Sequence, residues 1–227
     1  MKQTILVTGG TKGIGRAIIN LFVENGFEAI VCARSQSDLD KMKEFNENLI
    51  TFQADLSLRK DRESFAQFLK DKHVDVLVNN AGIFIPGEIL EEPSGNLSLM
   101  VETNLYSAYD MIRAVVPGMV ERKKGHIFNM CSIASITAYA NGGSYSISKF
   151  AMYGMSKVLR EEMKDKQVKV TSILPGATFT ASWEGVEVTE ERLMPAEDVA
   201  KSVWDCYNMS DRTNVEELII RPQLGDL

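Results

Sequence analysis

Seven short, almost continuously apolar runs recur along the chain, separated by longer segments of mixed polarity: "TILVT" (4–8), "EAIVCA" (28–33), "LITFQA" (49–54), "VDVLVN" (74–79), "GHIFNM" (125–130), "VKVTSIL" (168–174) and "ELIIR" (217–221). A strand with one wet face alternates apolar and polar residues, whereas a strand covered on both faces does not. These runs therefore read as strands buried between two layers. The intervening segments read as helices at about 12–24, 36–46, 58–71, 97–122, from the segment carrying Tyr145 to about 164, and 196–207. Repeated strand–helix units predict an α/β fold: a doubly wound, Rossmann-type parallel sheet of seven strands with helices on both faces. No linker or low-complexity tract interrupts the rhythm, so residues 1–227 are expected to form one domain. The segment 177–195 has no firm period and is expected to be a loop or lid.

Charge and composition narrow the function. The net charge is −6 without a basic block, which speaks against a nucleic-acid partner. Cys32, Cys131 and Cys206 form no CxxC pair, as expected in a reducing, cytoplasmic setting. His73 and His126 fall in different segments, so neither a histidine metal site nor a Ser-His-Asp triad is expected. The first apolar run breaks at glycine, too early for a signal peptide, and no run is long enough for a membrane span.

Directly after the first strand, "TGGTKGIG" (8–15) opens the first helix. Gly9, Gly13 and Gly15 allow a tight turn and close backbone approach, and the helix N-terminus offers free N–H groups to a pyrophosphate. A purely structural turn is the competing reading of the glycines alone. The second strand ends on Ala33 and Arg34, where NAD-binding folds usually carry an acid for the ribose hydroxyls. An arginine fork suits a 2′-phosphate, and Lys12 can reach the same place. NADP(H) is the expected cofactor, with a preference over NADH on the order of 10²-fold in kcat/KM.

Tyr145 and Lys149, four apart in "GGSYSISKFAMYG" (142–154), share one helix face. Hydride transfer to a carbonyl leaves an alkoxide that needs a proton, and a phenol with a lowered pKa, beside an ammonium in a partly desolvated site, would supply it. Ser132, at the end of the fifth strand, is placed to hydrogen-bond the carbonyl oxygen, although alone it reads as a turn serine. Phe179, Trp183, Met152 and Met155 are candidate pocket residues, with helix packing favoured for the methionines.

With these pieces in order, the chain resembles the short-chain dehydrogenase/reductases in their single-domain form over nearly its whole length. The matching motifs are "TGGTKGIG" (8–15), "ADL" (54–56), "NNAG" (79–82), "TNL" (103–105), "CSIAS" (131–135), "YSISK" (145–149) and "LPGATFT" (174–180). The resemblance implies Tyr145 as general acid/base, Lys149 binding the nicotinamide ribose and lowering the phenol pKa, and Ser132 orienting the carbonyl. Asn104 would hold a water-linked proton path from Lys149. It also implies cofactor contacts from Gly9, Thr11, Lys12, Gly13, Ile14 and Gly15. Arg34, Asp55 and Leu56 would serve the adenosine end. Asn80, Ala81 and Gly82 would lie by the ribose, with a structural turn as the other reading of Asn80. Pro175, Gly176, Thr178 and Thr180 would serve the nicotinamide end. The last third is similar to bacterial sepiapterin-reductase-like and 3-oxoacyl carrier-protein reductase-like members.

The expected function is thus an NADP-dependent oxidoreductase acting reversibly on a small-molecule carbonyl or alcohol. The alternatives are a non-catalytic NADP(H)-binding redox sensor or scaffold, and a nucleotide-sugar epimerase or dehydratase, for which too little sequence follows the sixth strand. A homodimer or homotetramer is expected, paired through the helices near 97–122 and 145–164. Met111, Val115, Met119, Phe150 and Met155 are the apolar residues to be covered there.

Overall fold

In the computed structural model, residues 2–46, 49–180 and 188–226 are described. The strands are β1 (Thr4–Thr8), β2 (Glu28–Ala33), β3 (Leu49–Gln53), β4 (Val76–Asn79), β5 (Gly125–Met130), β6 (Val168–Pro175) and β7 (Glu217–Ile220). They form one sheet in the order β3-β2-β1-β4-β5-β6-β7, and every neighbouring pair is parallel. The connections run outward in one direction from β1 to β3 and in the other from β4 to β7. The crevice between the C-terminal ends of β1 and β4 is therefore the topological switch point, where open α/β sheets bind ligands.

One face of the sheet is covered by α1 (Gly13–Glu24) and α7 (Ala196–Tyr207), which pack together and bury Ile18, Phe22, Val199 and Val203. Phe22 meets Phe27 and Trp204 edge-on, with ring centroids 5.1 and 5.0 Å away. The helix α2 (Gln36–Phe45) follows β2. The other face is covered by α3 (Arg59–Leu69), α5 (Ser107–Arg122) and α6 (Gly143–Met163). Arg62 of α3 is 3% exposed and clamps this layer: it pairs with Glu102 at 2.6 Å and Asp110 at 2.7 Å, and donates to the Leu56 carbonyl at 2.9 Å.

The helix expected over 97–122 is not a uniform one. It starts as α4 (Asn96–Val101), passes through a π-turn (Glu102–Tyr106) and continues as α5. The π-turn turns Asn104 inward, where its Oδ1 accepts the Ile83 N–H at 2.8 Å and its Nδ2 donates to the Ile83 carbonyl at 3.0 Å. This two-way bond to another segment stabilises a register that local helical spacing disfavours.

The proposed interface residues also need correction. Met111, Val115 and Met119 are buried against the sheet, and Met155 packs on the core, so of the five only Phe150 remains exposed. Met152 is likewise a core residue. In the expected lid, the two stems are laced together: the Phe179 N–H donates to the Met194 carbonyl at 2.8 Å, and the Met194 N–H to that of Ala177 at 3.0 Å. Trp183 lies outside the described residues.

Candidate active site

The turn after β1 is shaped by its glycines. Gly9 and Gly13 have φ of 65° and 52°, in the left-handed region that favours glycine. A Cβ at Gly15 would stand 2.5 Å from Asn80 Nδ2 and 2.6 Å from the Gly9 carbonyl oxygen. Asn80 clamps the turn from β4: its Nδ2 donates to the carbonyls of Thr8 (2.9 Å) and Gly9 (3.0 Å). Thr8 Oγ1 accepts the N–H groups of Asn80 and Ala81, both at 3.0 Å. The structural reading of Asn80 is therefore realised, while the residue also borders the cleft. Lys12 at the N-cap of α1 makes no side-chain bond to the first turn, and that turn carries no acid. Such an end suits an anion.

At the end of β2, Arg34 is exposed and Ser35 caps α2 by accepting the Asp38 N–H at 3.2 Å. Here the structure adds a residue that the sequence reading missed. Asp38 lies on the first turn of α2, with its carboxylate 3.3 Å from Lys12 Nζ. After β3, Asp55 Oδ1 accepts the Ser57 N–H (3.0 Å) and hydroxyl (2.7 Å), and the Asp55 N–H donates to Asp61 Oδ2 at 2.9 Å. These bonds fix the loop in front of α3.

Tyr145 stands on the first turn of α6. Glu92 organises that turn by accepting the Ser144 N–H at 3.3 Å and the Ser144 hydroxyl. A carboxylate at a helix N-terminus is favourable for the helix as well. Gly143, with φ 32°, lets the Gly87 carbonyl approach where a Cβ would meet it at 2.3 Å. The 83–95 segment is thereby pinned on the helix that carries the phenol. Phe84 lies edge-on to Tyr145, with centroids 4.8 Å apart.

Burial pushes the Tyr145 phenol above its ordinary range, and a hydrogen bond from Ser132 offsets only part of that rise. Lys149 Nζ donates to the Met130 carbonyl at 2.8 Å and stands 5.9 Å from the Tyr145 ring centroid. With little solvent around it, Lys149 is pulled down to about 8. The lowered phenol expected from the sequence is thus absent from the protein by itself, because desolvation dominates both groups. Cys131, beside Ser132, is pushed up to about 11 by burial. Asn104 is fully inside the fold. Beyond its bonds to Ile83, Nδ2 donates to Ser148 Oγ at 2.9 Å, and Ser148 donates to the Tyr145 carbonyl at 2.7 Å.

One cleft of about 850 Å³ joins the two ends. Ser132, Tyr145, Lys149 and every expected cofactor contact except Gly15 line it. Gly15 lies behind the turn, and Asn104 supports the wall from within. The sequence reading missed Asp38, Phe84, Tyr139 and Asp226, which also line the cleft. Each comes from a segment without a motif and reaches the site only through the tertiary fold. Among the described residues, no group of three His, Cys, Asp or Glu side chains is gathered to hold a metal ion.

A family model described as short chain dehydrogenase matches residues 3–191. The sepiapterin reductase of Chlorobaculum tepidum is 32% identical over 100% of this chain and 99% of its own length. The NADP-dependent 3-hydroxy acid dehydrogenase YdfG of Escherichia coli K12 is 33% identical, over 96% of this chain and 94% of its own. A solved structure described as the closed form of serine dehydrogenase complexed with NADP+ superposes with a TM-score of 0.87 at 31% identity, over 96% of this chain and 94% of that one.

Proposed function

The chain belongs to the short-chain dehydrogenase/reductase family, and from that premise we propose that it is an NADP-dependent oxidoreductase that reversibly transfers a hydride from NADPH to a substrate carbonyl, with Tyr145 as the proton donor. The observation that carries this reading is the single cleft, with a glycine-shaped anion site at one end and Ser132, Tyr145 and Lys149 at the other.

The residues fit the cofactor. The α1 N-terminus and the turn through Gly9, Thr11, Gly13 and Ile14 would hold the pyrophosphate. Arg34, Lys12 and the start of α2 would hold the 2′-phosphate, and Asp55 and Leu56 the adenine. Asn80, Ala81 and Gly82 would border the ribose. Pro175, Gly176, Thr178 and Thr180 would face the nicotinamide, and Lys149 its ribose hydroxyls. NADPH, when bound, supplies the hydride that goes to the carbonyl carbon.

The chain's own residues handle the oxygen. Ser132 orients the carbonyl by hydrogen-bonding its oxygen. As the carbonyl electron pair moves onto that oxygen, Tyr145 gives up its phenolic proton and the alcohol forms. A phenol raised by burial is held in the protonated state that reduction requires. Lys149 supplies positive potential beside the phenolate left behind. Asn104 and Glu92 act through position: one fixes the loop facing Tyr145, the other the helix turn that presents it.

The test is a screen of carbonyl compounds, including pteridines, diketones and 3-oxoacyl thioesters, followed by NADPH absorbance. Tight NADPH binding with no turnover across all classes would favour the sensor reading instead.

The same reading includes a homodimer or homotetramer. Tyr106, Tyr109, Ile147, Phe150 and Val158 on α6 and on the π-turn and α5 region are each 43–59% exposed. A second copy is a natural cover for so many large apolar side chains on two adjacent helices. The cysteines are free and buried, which suits a cytoplasmic setting. Among the described residues, no helix is long and apolar enough to cross a membrane.

A further inference from the structure

Resting on the reductase reading above, we propose that the substrate is an uncharged carbonyl compound with a largely apolar body, and that the substrate half of the cleft excludes carboxylates. The cations lining the cleft, among the described residues, are Lys12, Arg34 and Lys149. Lys12 and Arg34 belong to the far end, by β1 and β2, and Lys12 is paired with Asp38. Lys149 is 5% exposed and holds the Met130 carbonyl. Around Tyr145 the walls come instead from Ile83, Phe84, Ile133, Thr137, Tyr139 and Ala177.

The described segment that brings Ile83 and Phe84 to this half adds acids and no base. Residues 83–95 read IFIPGEILEEPSG, with three glutamates and no lysine, arginine or histidine. Arg192, near the stem at Met194, is already committed: it donates to the carbonyls of Gly225 (2.9 Å), Asp226 (3.1 Å) and Leu224 (3.4 Å). That same bend brings the Asp226 carboxylate against Gly176, where a Cβ would meet its Oδ1 at 2.4 Å. Arg221 is paired with Asp226 at 3.3 Å. Asp226, its charge shared with Arg221, is the acid that lines the cleft at the nicotinamide loop. A substrate carboxylate there would lose water and find no uncommitted cation among the described residues, since Arg221 is held by Asp226, Arg192 by backbone carbonyls and Lys149 by the Met130 carbonyl. An apolar body would meet the rings of Phe84 and Tyr139.

The test compares 4-acetylbenzoate with its methyl ester, a pair whose charge is remote from the ketone. Both are assayed as substrates with NADPH and as ligands of the NADPH-loaded protein, read by nucleotide fluorescence. The ester is expected to exceed the acid by on the order of 10²-fold in kcat/KM, and by at least about tenfold in affinity. Asp226→Lys should narrow either ratio by about tenfold or more. Equal or better use or binding of the acid by the wild-type protein overturns the proposal. Binding carries the test if neither ketone is reduced. Failure to bind NADPH at all is a separate result, which removes the reductase reading and the proposal with it.

Discussion

Replacing Arg34 by alanine should cut the preference for NADPH over NADH by about tenfold. A charge-assisted hydrogen bond contributes about 1.5–3 kcal/mol net. Arg34 is exposed, so the lower end applies, and 1.4 kcal/mol corresponds to about tenfold. Lys12 adds less, because its side chain is 70% exposed and shares its charge with Asp38 at 3.3 Å. Taking its share as about half that of Arg34, the two sum to roughly 2 kcal/mol and a wild-type preference of about 30-fold. This is below the 10² order that the two cations suggest without Asp38. Asp38→Asn should therefore raise the preference several-fold by freeing Lys12 and removing a like charge. Ala33→Asp with Arg34→Ala should erase or reverse it, since an aspartate can accept from the bare ribose hydroxyls. The assay is steady-state kcat/KM with each nucleotide at low and high salt, with the preference shrinking as salt rises. A wild-type protein that uses both nucleotides equally, or an Arg34→Ala variant with an unchanged ratio, would refute this assignment of the 2′-phosphate site.

Three further outcomes follow from the packing. Arg62→Ala should lower the unfolding free energy by about 2 kcal/mol, because it removes a buried guanidinium that pairs with the partly exposed Glu102 and Asp110 and satisfies the Leu56 carbonyl; a loss below about 1 kcal/mol in urea titration contradicts the clamp. His126 donates from Nε2 to Thr171 Oγ1 at 2.8 Å, since that hydroxyl itself donates to the Val215 carbonyl, and burial holds the imidazole down to about 3. The unfolded chain takes up this proton below about pH 6.5 and the folded protein does not, so stability should fall toward acid pH by up to about 1.4 kcal/mol per unit from this group alone. His126→Phe should flatten that part of the slope, and an unchanged pH profile speaks against it. Light scattering at micromolar concentration should show an oligomer, with a stable monomer as the contrary result.

The strands were legible because burial on both faces leaves continuous apolar runs. Their spatial order was not, since β1 pairs with β4 across more than sixty residues of intervening chain. The π-turn was invisible because it is created by Asn104 bonding to Ile83, a contact that local periodicity does not encode. Met111 and Met119 show a related limit: an apolar helix residue reads the same whether it faces the sheet or a partner, and here it faces the sheet. In the site, Tyr145 and Lys149 were readable from helical spacing, and the glycines from their place after β1. Asp38 and Asp226 were not, because ordinary surface-type acids become site residues only when the fold folds them over the cleft.

The most direct test of the account is Tyr145→Phe, measured for NADPH affinity by nucleotide fluorescence and for turnover of the best carbonyl substrate found in the screen. Loss of the phenolic proton removes only the proton donor, so NADPH affinity should stay within about twofold while kcat falls about 10²–10⁴-fold. Turnover within about threefold of wild type, at full nucleotide saturation, would contradict Tyr145 as the proton donor and with it the mechanism assigned to the cleft.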